Sequence, residues 1–230
     1  TTSFTFIAPL EAIAALGAIP VPVNIDETYS LDPIQIEKSI TEKTKAVVCV
    51  PMWSAPKMEE IIKICEKNNL ILIEDAAQSL GGKYNGNFLG TFGRVGSFSF
   101  DAGKTISTGE GGMVITNDKE TYDRVAEFSD HGHMHMPNIP RGKDPRRMPG
   151  LNYRMSEVSA AIGLAQLEKI DDVINAVNKI KLKLKNKLEL IPGVKFRSFT
   201  DDKGSVEHVM ILKLKNPGIA SYCDKCLTDN

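Results

Sequence analysis

The sequence predicts an α/β fold: a mostly parallel sheet with helices on both faces, followed by part of a small C-terminal α/β domain. Three observations carry this. Short aliphatic runs of strand length alternate with amphipathic helical segments. Those runs lack a polar residue at every second place, as strands covered on both faces do. After Gly150 the pattern changes to long helical stretches before short strands resume. Residues 1–150 therefore read as a large domain that is incomplete at its N-terminus. Residues 151–230 read as long interdomain helices and the start of an incomplete smaller domain.

Lys45 to Val50 (KAVVCV) is apolar and β-branched and predicts a buried strand. Met58 to Asn69 is an amphipathic helix with Ile61, Ile62 and Cys65 on one side, and Leu70 to Glu74 (LILIE) is a second buried strand. Val95 to Phe100 and Gly112 to Thr116 predict two more strands, with a helix over Lys119 to Phe128. Ser156 to Ile170 is a helix with Ser156 as N-cap. Val173, Val177, Ile180, Leu184, Leu188 and Ile191 recur at spacings of 4, 3, 4, 4 and 3, which predicts one long helix with a single apolar stripe. Pro192-Gly193 ends it, and Glu207 to Leu214 predicts a strand of the second domain.

With 42% hydrophobic and 25% charged residues, a chain of 230 residues can bury a sizeable core. Its 28 basic and 29 acidic residues give a net charge of -1, which argues against a nucleic-acid or membrane surface. No apolar run approaches the roughly 20 residues needed to span a bilayer, and the first twenty residues have no basic n-region, so they do not read as a signal peptide. Four cysteines make no disulfide framework, and Cys49 and Cys65 fall in apolar, periodic stretches as buried thiols. Cys223 and Cys226 form a lone C-x-x-C, read as incidental against zinc or redox use. The compartment expected is the cytosol.

Chemistry concentrates at two strand ends. Ile73-Glu74-Asp75-Ala76-Ala77-Gln78 ends an aliphatic strand in two carboxylates, where ligand sites of parallel sheets lie. Asp75 there either meets a cation supplied by a ligand or caps a following helix. Ser97 to Lys104 (SFSFDAGK) places a lysine past another strand end, followed by TISTGEGG, rich in hydroxyls and glycines. Such backbone amides and hydroxyls suit a phosphate, and a lysine amine attacks an aldehyde once its site disfavours the charged form. Lysine, aspartate, hydroxyls and glycines at strand ends are the parts a pyridoxal 5'-phosphate (PLP) site needs. No G-x-G-x-x-G follows the first strand, which excludes a nicotinamide-binding reading.

The runs SFTFIA, IEDAAQS, GSFSFDAGKTISTGEGGMVIT and GLNYRMSEVSAAIGLAQLEKID, in order between residues 3 and 172, resemble the DegT/DnrJ/EryC1/StrS family of PLP-dependent sugar aminotransferases, which are fold-type I enzymes. The resemblance implies that Lys104 is the Schiff-base lysine and proton carrier, and that Asp75 pairs with the pyridine nitrogen. It implies that Gln78 lies near the cofactor's phenolic oxygen, that Ala77 packs on the ring face and that Ser99 binds the phosphate. Asn152 matches an asparagine that reaches the neighbouring subunit's phosphate, which implies a homodimer with shared active sites. The implied reaction moves an amino group, with glutamate as expected donor, to a keto or aldehydo sugar, nucleotide-linked or acidic. Relatives that dehydrate sugars carry histidine in place of the lysine. The alternatives are such a PLP-dependent dehydratase, or a truncated homologue that binds PLP without turnover. The Ser-Gly-Thr turn expected before residue 1 and most of the C-terminal domain are not in the sequence, so the resemblance reads the chain as a fragment.

His131-Gly132-His133-Met134-His135 opens a long polar loop. No carboxylate or cysteine flanks these histidines at ligand spacing, so no metal site is assigned. Family members carry a His-Gly here near the active-site mouth, which makes His131, His133 and Arg154 the candidate substrate residues. The loop to Pro149, with Arg141, Lys143, Arg146 and Arg147, reads either as a contact for an acidic sugar or sugar nucleotide, or as a solvated basic loop. The run HGHMHMPNIPRGKD faintly resembles members acting on an eight-carbon acidic sugar of lipopolysaccharide.

Overall fold

The computed structural model describes residues 1–228. The chain opens with two helices not anticipated from the sequence, α1 (Ala8–Ala15) and α2 (Pro33–Ser39). Asp32 starts α2 by accepting the Ile34 amide at 2.9 Å, with Pro33 in the first helical position. Strand β1 (Ala46–Cys49), helix α3 (Met58–Lys67) and strand β2 (Ile71–Asp75) follow where the apolar runs predict them. A small hairpin, β3 (Lys83–Tyr84) with β4 (Asn87–Phe88), leads to β5 (Val95–Ser99), β6 (Gly112–Ile115) and α4 (Lys119–Ser129). Beyond a 3-10 turn at Arg141–Lys143 come α5 (Glu157–Leu167), α6 (Ile170–Leu188), β7 (Val194–Phe196), β8 (Leu212–Leu214) and α7 (Pro217–Thr228).

The main sheet has the order β1-β2-β5-β6. β1 and β2 run parallel with Cys49 beside Glu74, and β2 and β5 run parallel with Asp75 beside Ser97. β6 is antiparallel, so its first residue, Gly112, lies beside the last residue of β5, Ser99. The sheet is therefore mostly parallel, as predicted, and the carboxyl ends of β1, β2 and β5 share one edge. On one face, α3 buries Met58, Ile61, Ile64 and Cys65 against Val47, Cys49 and Leu72, with Leu31 and Ile36 closing the cluster. The outer strand β6 leaves Met113 and Val114 exposed, so helical cover on both faces does not extend to it among the described residues.

Side chains alternate across a strand, so the adjacent carboxylates of β2 point to opposite faces. Glu74 is fully buried. Its Oε2 accepts the Gly90 amide at 2.7 Å, and its Oε1 accepts the amides of Phe92 at 2.6 Å and Gly93 at 2.7 Å. This carboxylate anchors the 90–93 loop, which lies directly on β5: a Cβ added to Gly96 would stand 2.0 Å from the Gly90 carbonyl oxygen. Only glycine fits there.

Ser156 caps α5 as expected, accepting the Ser159 amide at 3.1 Å. The stripe of α6 differs from its sequence reading. Ile180, Leu184 and Ile191 are exposed. The inward face carries Val173 and Val177 and then Lys181 and Lys185, which pair with Asp202 at 2.8 and 3.5 Å. Ion pairs there turn the helix away from its apolar period. Expected over Glu207 to Leu214, β8 begins only at Leu212, because residues before it dock on the main body instead of pairing with β7. In that docking, Arg197 donates to the carbonyls of Met52 (2.6 Å) and Thr28, the Val206 amide to Trp53 O at 2.9 Å, and the Thr200 hydroxyl to Ala55 O at 2.7 Å. The arginine is buried and Glu207 lies 3.7 Å from it.

Replacing Glu74 with glutamine would set an NH₂ group against loop amides that need an acceptor. Leaving buried donors unpaired costs on the order of 2 kcal/mol, so Glu74→Gln should lower the midpoint of urea unfolding by about that equivalent, with an unchanged slope.

Candidate active site

The site is built where β2 and β5 end side by side. Asp75, the last residue of β2, is half-buried on the face opposite Glu74, and the next residue ties back to β5 through Ala76 N–H to Ser97 O at 2.8 Å. A turn follows in place of a helix, and among the described residues Asp75 Oδ1 accepts only the Ala77 amide, at 3.2 Å. The helix-capping alternative for Asp75 is thereby removed. Burial pushes its carboxyl above the ordinary aspartate range, against the opposing pull of the Ala77 amide and of Lys104. A half-buried carboxylate with one weak hydrogen bond is a site made for a further cationic N–H.

Lys104 is presented by a compact turn. Asp101 N–H donates to Ser99 Oγ at 3.3 Å, Asp101 Oδ2 accepts the Gly103 amide at 3.1 Å, and Lys104 N–H donates to Asp101 O at 3.1 Å. Beyond the lysine the chain returns to β5, where the Phe100 carbonyl accepts the Thr108 amide at 2.9 Å and the Ser107 hydroxyl at 3.3 Å. Lys104 lines a cavity of about 140 Å³ with Gly103 and Thr105 on its own turn, Val173, Ile174 and Val177 of α6, and Val206 and His208 from the docked segment. Its side-chain nitrogen makes no hydrogen bond or ion pair among the described residues; Asp75 and His208 are the groups that feel its charge. The structure thus brings Lys104, Asp75 and Ser99 to one edge, with Ala77 and Gln78 on the turn after β2.

Sequence reasoning did not single out Trp53 and His208. Trp53 lies just past the carboxyl end of β1, at the same sheet edge, and its φ of +63° is unusual for a bulky residue. A left-handed conformation costs a non-glycine residue roughly 1–2 kcal/mol, and here it carries the indole N–H to His208 Nε2 at 3.0 Å. The signal available in the sequence was position: Trp53 follows a strand end. His208 had none, since it sat in a run read as strand.

The 131–149 loop is internally paired, which neither reading of its sequence anticipated. Asp130, nearly inaccessible, accepts from Arg141 at 2.7 Å and from Arg154, with His135 at 3.6 Å. Buried Asp144 meets His133 Nδ1 at 3.2 Å and accepts the amides of His135 and Met136, both at 3.0 Å. His133 Nε2 faces Arg146 at 3.2 Å, and Arg147 pairs with buried Glu127 at 3.4 Å. His133 is therefore buried with both ring nitrogens engaged, and it does not line the Lys104 cavity. His131 and Arg154 keep exposed side chains, and exposed Asn152 pairs with Asp130 in an isolated bridge, away from that cavity. Gly132 is enforced, because its φ is +81° and a Cβ would lie 1.8 Å from Met148 O.

Arg141 and then Arg154 hold the Asp130 carboxyl well below the usual carboxylate range. A depressed folded-state value gives stabilisation that is whole above about pH 4 and is lost as pH falls through the lowered value. Asp130→Asn should remove it at neutral pH. Trypsin cleavage after Arg141, Lys143, Arg146 or Arg147 should then accelerate about tenfold through easier local opening; mass spectrometry of the fragments checks this.

Comparison with known proteins places this edge in context. The family model described as the DegT/DnrJ/EryC1/StrS aminotransferase family matches residues 1–225. GDP-perosamine synthase of Escherichia coli O157:H7 is 45% identical over 180 residues, covering 77% of this chain and 48% of that protein. Helicobacter pylori PseC, an aminotransferase involved in the biosynthesis of pseudoaminic acid, superposes with a TM-score of 0.89 at 28% identity, over 97% of this chain and 59% of that one. Escherichia coli GDP-4-keto-6-deoxy-D-mannose-3-dehydratase with bound hydrated PLP gives a TM-score of 0.85 at 26% identity, over 94% and 59%. The chain spans about half the length of the curated relatives it matches. With the matched residues taking in both strand ends and the lysine turn, the chain belongs to the DegT/DnrJ/EryC1/StrS aminotransferase family.

Proposed function

We propose that this chain is the cofactor-binding part of an enzyme that transfers an amino group, with glutamate as donor, to a keto or aldehydo sugar carried on a nucleotide or bearing an acid group. The observation that carries this is Lys104 lining a cavity at the sheet edge, with the half-buried Asp75 on the neighbouring strand end. The residues fit PLP: Asp75 has an oxygen free for the protonated ring nitrogen, and the Ser99 turn offers a hydroxyl and amides to a phosphate. Bound there, PLP supplies an electrophilic aldehyde and a ring that takes up electron density from the donor's α-carbon.

The chain's own groups do the rest. Lys104 Nζ, once deprotonated, is the nucleophile toward the aldehyde and later the base that moves a proton from the donor carbon. Asp75 holds a proton on the ring nitrogen, and Ala77 and Gln78 bound the ring from the turn after β2. Val173, Ile174 and Val177 give the lysine an aliphatic wall. Asn152, exposed and outside the cavity lining, serves the phosphate of a second copy, so the working form is a homodimer with shared sites. His131 and Arg154 are the proposed acceptor contacts, and His133 shapes the loop that bears His131. The lysine at position 104 favours transamination over the dehydratases that use histidine there.

Borohydride reduction of the chain incubated with PLP should leave a pyridoxyl group on the peptide containing Lys104, read by mass spectrometry; a label on another lysine overturns the assignment. In the complete enzyme Asp75→Asn should cut turnover about a hundredfold, the order of 3 kcal/mol that loss of one preorganised electrostatic partner costs. Near-normal turnover would make Asp75 structural.

A further inference from the structure

One wall of the Lys104 cavity is left without a role by the proposed chemistry. His208 is the other titratable side chain that lines it, and it arrives from the docked segment after β7. Its hydrogen bonds define its protonation. The Trp53 indole N–H, which can only donate, points at Nε2 at 3.0 Å, so Nε2 must be bare. Nδ1 lies 3.3 Å from the Val206 carbonyl, which can only accept, so the proton of the neutral ring sits on Nδ1. An imidazolium would set its Nε2–H against the indole N–H. The two rings meet edge to face, with centroids 6.0 Å apart and planes at 86°. The grip is double, since the Trp53 carbonyl also accepts the Val206 amide at 2.9 Å, and the left-handed backbone of Trp53 serves both contacts.

We propose that His208 is a positioning residue for Lys104, and that Trp53 fixes its imidazole as the uncharged Nδ1–H tautomer. The docked segment then closes the cavity with a ring that places no like charge beside the lysine amine. This rests on Lys104 being the PLP-binding lysine. A cation on His208 would repel the Lys104 charge and compete for the field of Asp75, whereas a neutral ring adds no charge of its own beside them. The charged groups near the ring are few: Lys104 faces it, and Glu207, next in the chain, turns to Lys181 at 3.5 Å and Arg197 at 3.7 Å. Burial of the ring pushes its basicity down, the hydrogen bond to the Val206 carbonyl opposes this in part, and the nearness of Lys104 adds a smaller downward push.

Ring ¹⁵N spectra of the 230-residue chain, taken between about pH 5 and 8 where histidine ordinarily titrates, test this directly. The expected result is a neutral Nδ1–H ring throughout, and in Trp53→Phe a ring that takes up a proton within this range, below its ordinary value of about 6.5 because burial and Lys104 remain. Titration of the unsubstituted chain near that value, an Nε2–H ring, or a Trp53→Phe ring still held neutral overturns the proposal. If Trp53→Phe does not fold, the ring state of the unsubstituted chain decides. A second measurement follows borohydride labelling of Lys104 with PLP. His208→Gln, whose amide oxygen can accept the indole N–H, should label within about twofold of the unsubstituted chain. His208→Ala should label about tenfold more slowly, as misplacement of a reacting group does; labelling at the unsubstituted rate overturns the positioning role. Absence of label on Lys104 in the unsubstituted chain defeats the PLP assignment itself and the proposal with it. An altered ring state in a chain that still labels defeats the proposal alone.

Discussion

The Glu74 carboxylate, sealed from water, receives three amides of the 90–93 loop, and the geometry of the candidate site depends on that anchor. The loop sits on Gly96 of β5, where only glycine leaves room for the Gly90 carbonyl. β5 in turn pairs with β2 so that Asp75 lies beside Ser97, with the Ser99–Lys104 turn just beyond. A charge buried this deeply is tolerated because its hydrogen-bonding capacity is filled by backbone groups that would otherwise be orphans in a tight loop. The cost of hiding the carboxylate and the cost of folding the loop thus cancel in part against each other.

Much of this was legible before any coordinates. Aliphatic runs located β1, β2, β5 and β6 to within a residue or two, since a buried strand leaves little choice of residue. Lys104, Asp75 and Ser99 were readable because they end such runs. Features set by tertiary contacts were not. The face of α6 was misread because Lys181 and Lys185 lie inward, attracted by Asp202 some twenty residues later. The loop arginines read as either substrate contacts or solvated charges because the partners of Arg141 and Arg147, Asp130 and Glu127, lie before the loop and carry no motif. His208 was hidden for the same reason: its meaning comes from Trp53, 155 residues away.

Two kinds of charge management divide the molecule. Around residues 127–154, carboxylates and arginines neutralise one another in short contacts, which makes a polar loop rigid without an apolar core. At the Lys104 cavity the opposite holds. Few charges are present, they are kept apart, and the lining of α6 and the docked segment is mostly aliphatic. Low polarity there makes each remaining charge act over a longer range, which is the condition under which one lysine and one aspartate can set the behaviour of a small ligand.

The back-to-back placement of Glu74 and Asp75 has a consequence for how the chain can fail. A slip of β2 by one residue would turn every side chain to the other face. A slip one way would bring the shorter aspartate to three loop amides it cannot span, and a slip the other way would set Ile73 against them. Stability and chemistry would then be lost in the same event. The register of β2 thus fixes the loop anchor and the strand-end carboxylate together, and neither can be misplaced alone.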